Sequence, residues 1–425
     1  MTKTLLRKYA RLAVRTGANV QKGQYVVVRA SVEMHEFAGM VVEEAYKAGA
    51  KEVRVDWRYS YTTKMAYRHQ SLKTLCNVHD WQEAKQAFDC KTLPAYINII
   101  SDGPDALKGV NGEKMQKSSV ATHKKLKKYI DEMDNNYQWT IVAAAGKDWA
   151  KKVFPGERTS TAVEKLWKTI LSTVYITDAS SDPAKTPRET SFSGDPEKAW
   201  ADHNADFMDK CARLNDAKFD YLEYKSANGT DFRCWLNNNI LWLGGGETTK
   251  GVYYNPNMPT EEIFTTPIAG KCEGTLVSTK PLSVRGNLVE NFTFTFEDGK
   301  VTKVTAEKGE DVLKQLIASD EGAKMLGELA LVPHNSPISN SGILFYNTLF
   351  DENAACHVAI GRGFGNLVVG YEDMTREQLK EQGVNESMIH VDFMIGCEDL
   401  SIVGYKDGKA TPIFTNGNWD EEFVK

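Results

Sequence analysis

The sequence predicts an α/β protein of two domains: a doubly wound N-terminal α/β domain over residues 1–216, then a β-rich α+β domain over residues 217–425. Three observations carry this expectation. The chain has 425 residues, more than one hydrophobic core commonly serves. Its first third alternates helical and extended patterns joined by short links, as parallel βαβ units do. From about residue 219 the pattern changes to period-two alternation broken by tight turns.

Taken in order, residues 5–17 have the apolar spacing of an amphipathic helix, and 25–29 form a short β-branched run of the buried-strand type. Residues 36–49 read as a helix ended by glycine, and 52–57 as a second strand. Residues 96–100 and 139–145 continue the same sheet, with 159–171 and 196–214 as later helices. In the second domain, 291–305 alternates with period two on both sides of Asp298-Gly299, a strong hairpin signal. The device returns at Asp407-Gly408, and 309–319 is the one clear helix of this half.

Composition narrows the function. Apolar residues at 41% and charged residues at 26% suit a globular chain, and no run approaches the ~20 apolar residues that span a bilayer, so no membrane is expected as a partner. The first fifteen residues interleave cations with apolar positions, which argues against a signal peptide. Seven scattered cysteines without a C-x-x-C pair fit reduced thiols and a cytoplasmic location. A net charge of -5 gives no support to nucleic-acid binding, and the cluster His123-Lys-Lys-Leu-Lys-Lys128 reads as the solvated face of a helix.

Metal sites built without cysteine use Asp, Glu and His, because hard or borderline cations prefer oxygen and imidazole nitrogen. Only eight histidines need weighing. His390 and Asp392 share one face of the strand expected at 388–395, where they could grip one ion or bridge two, or be an unrelated polar pair. His357 sits among small apolar residues and is either a hydrogen-bonded core histidine or a ligand. Glu328 is a lone carboxylate in an apolar run, and Glu262 alone would pass for a surface residue. His35 opens a helix, His69, His79, His123 and His203 sit in polar surroundings, and His334 lies in a loop. H-E-x-x-H, G-x-S-x-G and Walker motifs are absent, which removes the commonest zinc protease, serine hydrolase and P-loop readings.

Four runs then add specificity together. Asn257-Met-Pro-Thr-Glu-Glu-Ile-Phe-Thr-Thr-Pro267, Leu326-Gly-Glu-Leu-Ala-Leu-Val332, Asn347-Thr-Leu-Phe-Asp-Glu-Asn-Ala-Ala-Cys-His-Val-Ala-Ile-Gly361 and Ile389-His-Val-Asp-Phe-Met-Ile-Gly396 resemble, in this order and spacing, the M29 metalloaminopeptidases, also called the aminopeptidase T family. The resemblance extends over nearly the whole chain. It implies a homodimer with two divalent cations per subunit in the C-terminal domain, zinc or cobalt first and manganese or magnesium next. Its ligands match Glu262, Glu328, His357, His390 and Asp392, with Glu328 or Asp392 suited to bridging. The family's tyrosine seven residues after the first histidine is replaced here by Phe364.

The expected activity is metal-dependent removal of N-terminal residues from peptides with a free α-amine, with Glu352 either the proton carrier or a structural residue of the Asp-Glu-Asn turn. The alternatives are a dinuclear hydrolase of another amide or ester, and a non-catalytic metal- or peptide-binding homologue.

Overall fold

The protein is described by a computed structural model covering residues 1–176, 194–284 and 287–425. It divides into two compact units, Met1–Asp202 with Gly246–Pro259, and His203–Gly245 with Thr260–Lys425. The boundary expected near residue 216 falls inside the helix Pro196–Ala217. A single cut also leaves out the return of 246–259 to the first unit.

In the first unit, strands β1 (Tyr25–Ser31), β2 (Glu52–Arg58), β3 (Ala95–Ile100) and β4 (Trp139–Ala143) are parallel in the spatial order β4-β3-β1-β2. The chain moves from β1 outward to β2, then back past β1 to β3 and β4, which is the doubly wound topology. Asn257–Met258 adds a fifth strand beside β4. The Val26-Val27-Val28 run of β1 is buried, as a parallel strand covered on both faces requires.

The opening helix is Lys3–Leu12, followed by a π-turn over Ala13–Gly17 where a continuous helix was expected. Its Tyr9 is fully buried, stacks on Phe37 at 5.3 Å and accepts the Ala143 N–H at 3.0 Å, which ties the helix to β4. The cationic cluster expected on a solvated helix face lies on Gly112–Met133, where Lys125 and Lys128 pair with Glu83.

The second unit holds two antiparallel sheets. The larger has nine strands, including the expected hairpin: Asn287–Glu297 pairs with Lys300–Lys308, and Asp298 (φ 50°) and Gly299 (φ 75°) form the two-residue turn. Left-handed values at both positions give the turn whose twist matches its strands. Helix Glu310–Ile317 follows.

The smaller sheet runs His390–Met394, His357–Gly361, Leu326–Leu331, Ile263–Thr265, Leu243–Gly244 in space. Strand alternation divides its residues between two faces. Leu329, Leu331, Val358, Ile360 and Phe393 are buried in the core of the second unit, where Phe393 meets Phe294 of the larger sheet at 4.9 Å. The alternate positions form the opposite face, and the candidate site is built there.

Candidate metal centre

Register brings the polar residues of this second face together. Glu328 and Asp392 both stand opposite Ala359, from the strands on either side of it. His390 stands opposite Gly361, and His357 lies two residues before Ala359, so all four side chains emerge on the same face. Phe264 pairs with Ala330, which has the same parity, and Glu262 is two residues before Phe264. Ala330, Ala359 and Gly361 carry little or no side chain, and the polar groups of their neighbours converge over them.

A β-bulge between Leu326 and Glu328 sets this alignment. Without it Leu326, which packs in the core, and Glu328 would lie on one face. Gly327 makes the bulge possible, because a Cβ there would stand 2.3 Å from the Arg362 carbonyl oxygen and 2.4 Å from that of Gly361.

The ligand-type atoms form two groups. In one, atoms of Glu262, Glu328 and His357 lie within 4.8 Å of one another; in the other, those of Glu328, His390 and Asp392 do. Glu328 belongs to both. His357 Nε2 is 3.3 Å from Glu262, and His390 Nε2 is 3.1 Å from both Glu328 and Asp392. Each imidazole gives its other nitrogen to a backbone carbonyl, His357 Nδ1 to Ala355 at 3.1 Å and His390 Nδ1 to Arg362 at 2.7 Å. With Nδ1 committed in this way, Nε2 is the nitrogen that faces the cluster, and on losing its proton it could ligate a metal, the usual arrangement behind a metal-ligating histidine.

The electrostatics are those of carboxylates gathered out of water. Burial pushes Glu328 up to about 7 against the hydrogen bond from His390. Burial pulls both imidazoles down, but carboxylate hydrogen bonds and charges hold His357 at about 10 and His390 at about 11. Glu352 is raised well above the ordinary carboxyl range by burial first, then by the charges of Glu262 and Asp392. The candidate proton carrier thus feels the charges of the cluster.

The residues fit divalent cations. Asp392 Oδ1 is buried and has no aligned hydrogen-bond partner among the described residues, although His390 Nε2 is 3.1 Å away. A buried acceptor without an aligned donor, grouped with Glu328 and His390 within 4.8 Å, is placed as a ligand of a common centre is. Three carboxylates and two imidazoles also match a hard or borderline cation.

The profile of the thermophilic metalloprotease family M29 matches residues 2–419. The chain belongs to the M29 family. It is 42% identical to aminopeptidase AmpS of Bacillus subtilis over 97% of this chain and 98% of that one. It is 41% identical to aminopeptidase PepS of Streptococcus thermophilus over 97% of each. Wild-type AmpT from Thermus thermophilus superposes with a TM-score of 0.86 at 36% identity, covering 98% of this chain and 99% of AmpT. M29 membership agrees with the resemblance read from the four motifs, and the AmpT structure with the two-domain α/β fold. Among the described residues no helix is long and apolar enough to cross a membrane.

Phe364, where the resemblance led to the expectation of a tyrosine, packs its ring between His390 (5.1 Å) and Phe264 (5.4 Å). One expectation needs correcting. His203 is buried, with Phe207 edge-on at 4.5 Å and Nε2 at 2.9 Å from the Thr260 carbonyl, not in polar surroundings. Sequence reading also missed Asn353, whose Oδ1 accepts the Glu261 N–H at 2.6 Å while its amide donates to Leu349 at 3.0 Å. It ties the Glu352 turn to the segment that carries Glu262. Its place beside Glu352 in the third motif was the available signal.

Cys356 adjoins His357, yet it is buried in the core with Sγ bonded to the Val332 carbonyl at 3.2 Å, and burial pushes its thiol up to about 12. Such a thiol is not a nucleophile at neutral pH. Cys356→Ser is expected to keep most of its turnover and to lose no more than about 2 kcal/mol of stability, the scale of burying a hydroxyl with an imperfect partner. Loss of turnover at unchanged metal content would revive the thiol as a reactant.

Proposed function

We propose that this metalloaminopeptidase holds two divalent cations among Glu262, Glu328, His357, His390 and Asp392 and releases N-terminal residues from peptides with a free α-amine. The observation that supports this reading best is the sharing of Glu328 by both three-residue groups, which would suit it to bridge two ions. Bound there, divalent cations would lower the pKa of a water molecule to near neutral and polarise the scissile carbonyl.

The chain's own residues do the rest. The Ala355 and Arg362 carbonyls fix the two histidine rings, and Phe364 packs its ring against His390. Glu352 takes the proton from the attacking water and delivers it to the leaving amine. Zinc or cobalt, with manganese or magnesium next, suits the mixed carboxylate and imidazole set. A homodimer rests on the family resemblance. A cytoplasmic setting is supported by all seven cysteines being free.

The test is metal analysis of the purified protein together with hydrolysis of a panel of aminoacyl amides and peptides, before and after chelation. Release of single residues from free N-termini, with acetylated peptides spared, is expected. Full activity after exhaustive chelation, or cleavage of blocked peptides alone, would sink the reading.

Phe364 gives a smaller prediction. Losing an oxyanion donor typically costs ~10²–10³ in kcat, but a cation in a water-poor site supplies that stabilisation itself. Phe364→Tyr is therefore expected to change kcat by less than about tenfold. A rise of ~10² or more at unchanged metal content would show that the protein lacks a donor it could have used.

A further inference from the structure

Beside His390 and Asp392 opens a cavity of about 390 Å³, within the size range of small-molecule sites. It lies wholly within the second unit. Leu282, Leu344 and Met394 contribute apolar wall, and Lys280 lines it too. We propose that this cavity is a substrate subsite for a carboxylate carried on a short aliphatic stem, with Lys280 as the group that binds it. The proposal rests on the aminopeptidase reading for its place beside the reacting bond.

Lys280 is uncommitted. Among the described residues it has no hydrogen bond and no carboxylate within 4 Å. Its charge reaches Asp351. That carboxylate is already occupied, accepting the N–H groups of Phe345 at 2.8 Å and Asn347 at 2.9 Å. A lysine kept to balance the charge of Glu328 and Asp392 would lie against one of them, and this one does not.

The backbone leading into it is nonetheless tethered. The preceding residues are tied down by Ser278 N–H to the Phe292 carbonyl and Thr279 N–H to the Met394 carbonyl, both 2.9 Å, and Met394 ends the strand that carries His390 and Asp392. Thr279 Oγ1, next to Lys280, is buried without a hydrogen-bond partner among the described residues. An unpaired lysine on a tethered backbone, lining a cavity with apolar wall, is suited to recognising an anion with a hydrocarbon stem.

Two substrate features carry that chemistry: the C-terminal carboxylate of a dipeptide, and the side chain of an acidic residue. The experiment separates them. With the purified metalloprotein, KM is compared for Leu-Gly against Leu-Gly amide, and for Glu anilide against Leu anilide. One carboxylate-bearing substrate is expected to be favoured by about ten- to a hundredfold, the scale of a hydrogen bond between charged groups. Lys280→Met should collapse that preference towards one, and Lys280→Arg should keep most of it.

A readout without turnover accompanies this: calorimetric binding of a dipeptide whose scissile amide is reduced to an amine, as the free acid and as the C-terminal amide, and of its analogue with N-terminal glutamate. A Lys280-dependent preference for an acid here supports the subsite even if no peptide is cleaved, in which case the aminopeptidase reading fails alone. Equal affinity of acids and neutral counterparts in the wild type, or a preference that survives Lys280→Met, overturns the subsite while peptide cleavage still stands.

Discussion

Replacing Glu328 by glutamine is expected to empty both cation positions and to lower kcat/KM by at least about 10²-fold, since disturbing even a residue behind a ligand costs ~10–100-fold. The reason is topological. Glu328 comes from the middle of three adjoining strands, between His357 on one side and Glu262 just before the strand on the other, and its carboxylate belongs to both groups of ligand atoms. Glutamine keeps the shape and removes the charge, so the fold should survive. His357→Ala and Asp392→Asn each touch one group and should chiefly remove one ion. Metal content per chain, measured beside hydrolysis of a leucyl amide, separates these outcomes. The wild type should also gain thermal stability with added metal, because a ligand that binds only the folded state stabilises it, and Glu328→Gln should lose that gain. Two ions and near-normal turnover in Glu328→Gln would exclude it as the bridge.

How much of this site was legible depended on whether a residue's partner lay nearby in sequence. His390 and Asp392 are two apart on a strand, so period two alone put them on one face. Glu328 and His357 are joined only by the register of a long-range antiparallel pair, and that register is shifted by the bulge at Gly327. A glycine in an apolar run could mark a bulge or a close backbone approach, and here it marks both. Glu262 follows an equally acidic neighbour, and nothing local distinguishes them. The four motifs together supplied what strand pairing supplies in the fold. In the first unit, Asn257–Met258 joins the parallel sheet as a two-residue strand, too short to show any period. Helices Ser60–His69 and Asp80–Thr92 lack a clean apolar stripe: the first buries no residue fully and the second only Asp89 and Cys90. Lys280 was invisible for another reason, since a lysine without a partner differs from a surface lysine only in what surrounds it.

Glu352→Gln is expected to separate chemistry from metal binding. Glu352 opens the short 3-10 turn Glu352–Ala354, held in place by Asn353 between Glu261 and Leu349. Its carboxyl feels the charges of Glu262, Asp392, His357 and Glu328 but belongs to neither group of ligand atoms. A residue so placed can accept a proton from water at one carboxylate oxygen and return it to the leaving nitrogen without losing contact with the site. Glutamine fills the same volume and cannot carry a proton. A positioned general acid-base typically contributes 10²–10⁴-fold, so kcat should fall by about that factor while both ions stay bound and KM changes little. Glu352→Asp shortens the reach by one methylene and should recover part of the loss. If Glu352→Gln lost its metal along with its activity, the residue would be a ligand and not the proton carrier. If it kept full turnover, the proton would have to move through another carboxylate of the cluster, and Asp392, whose Oδ1 has no aligned partner, would be the next residue to change.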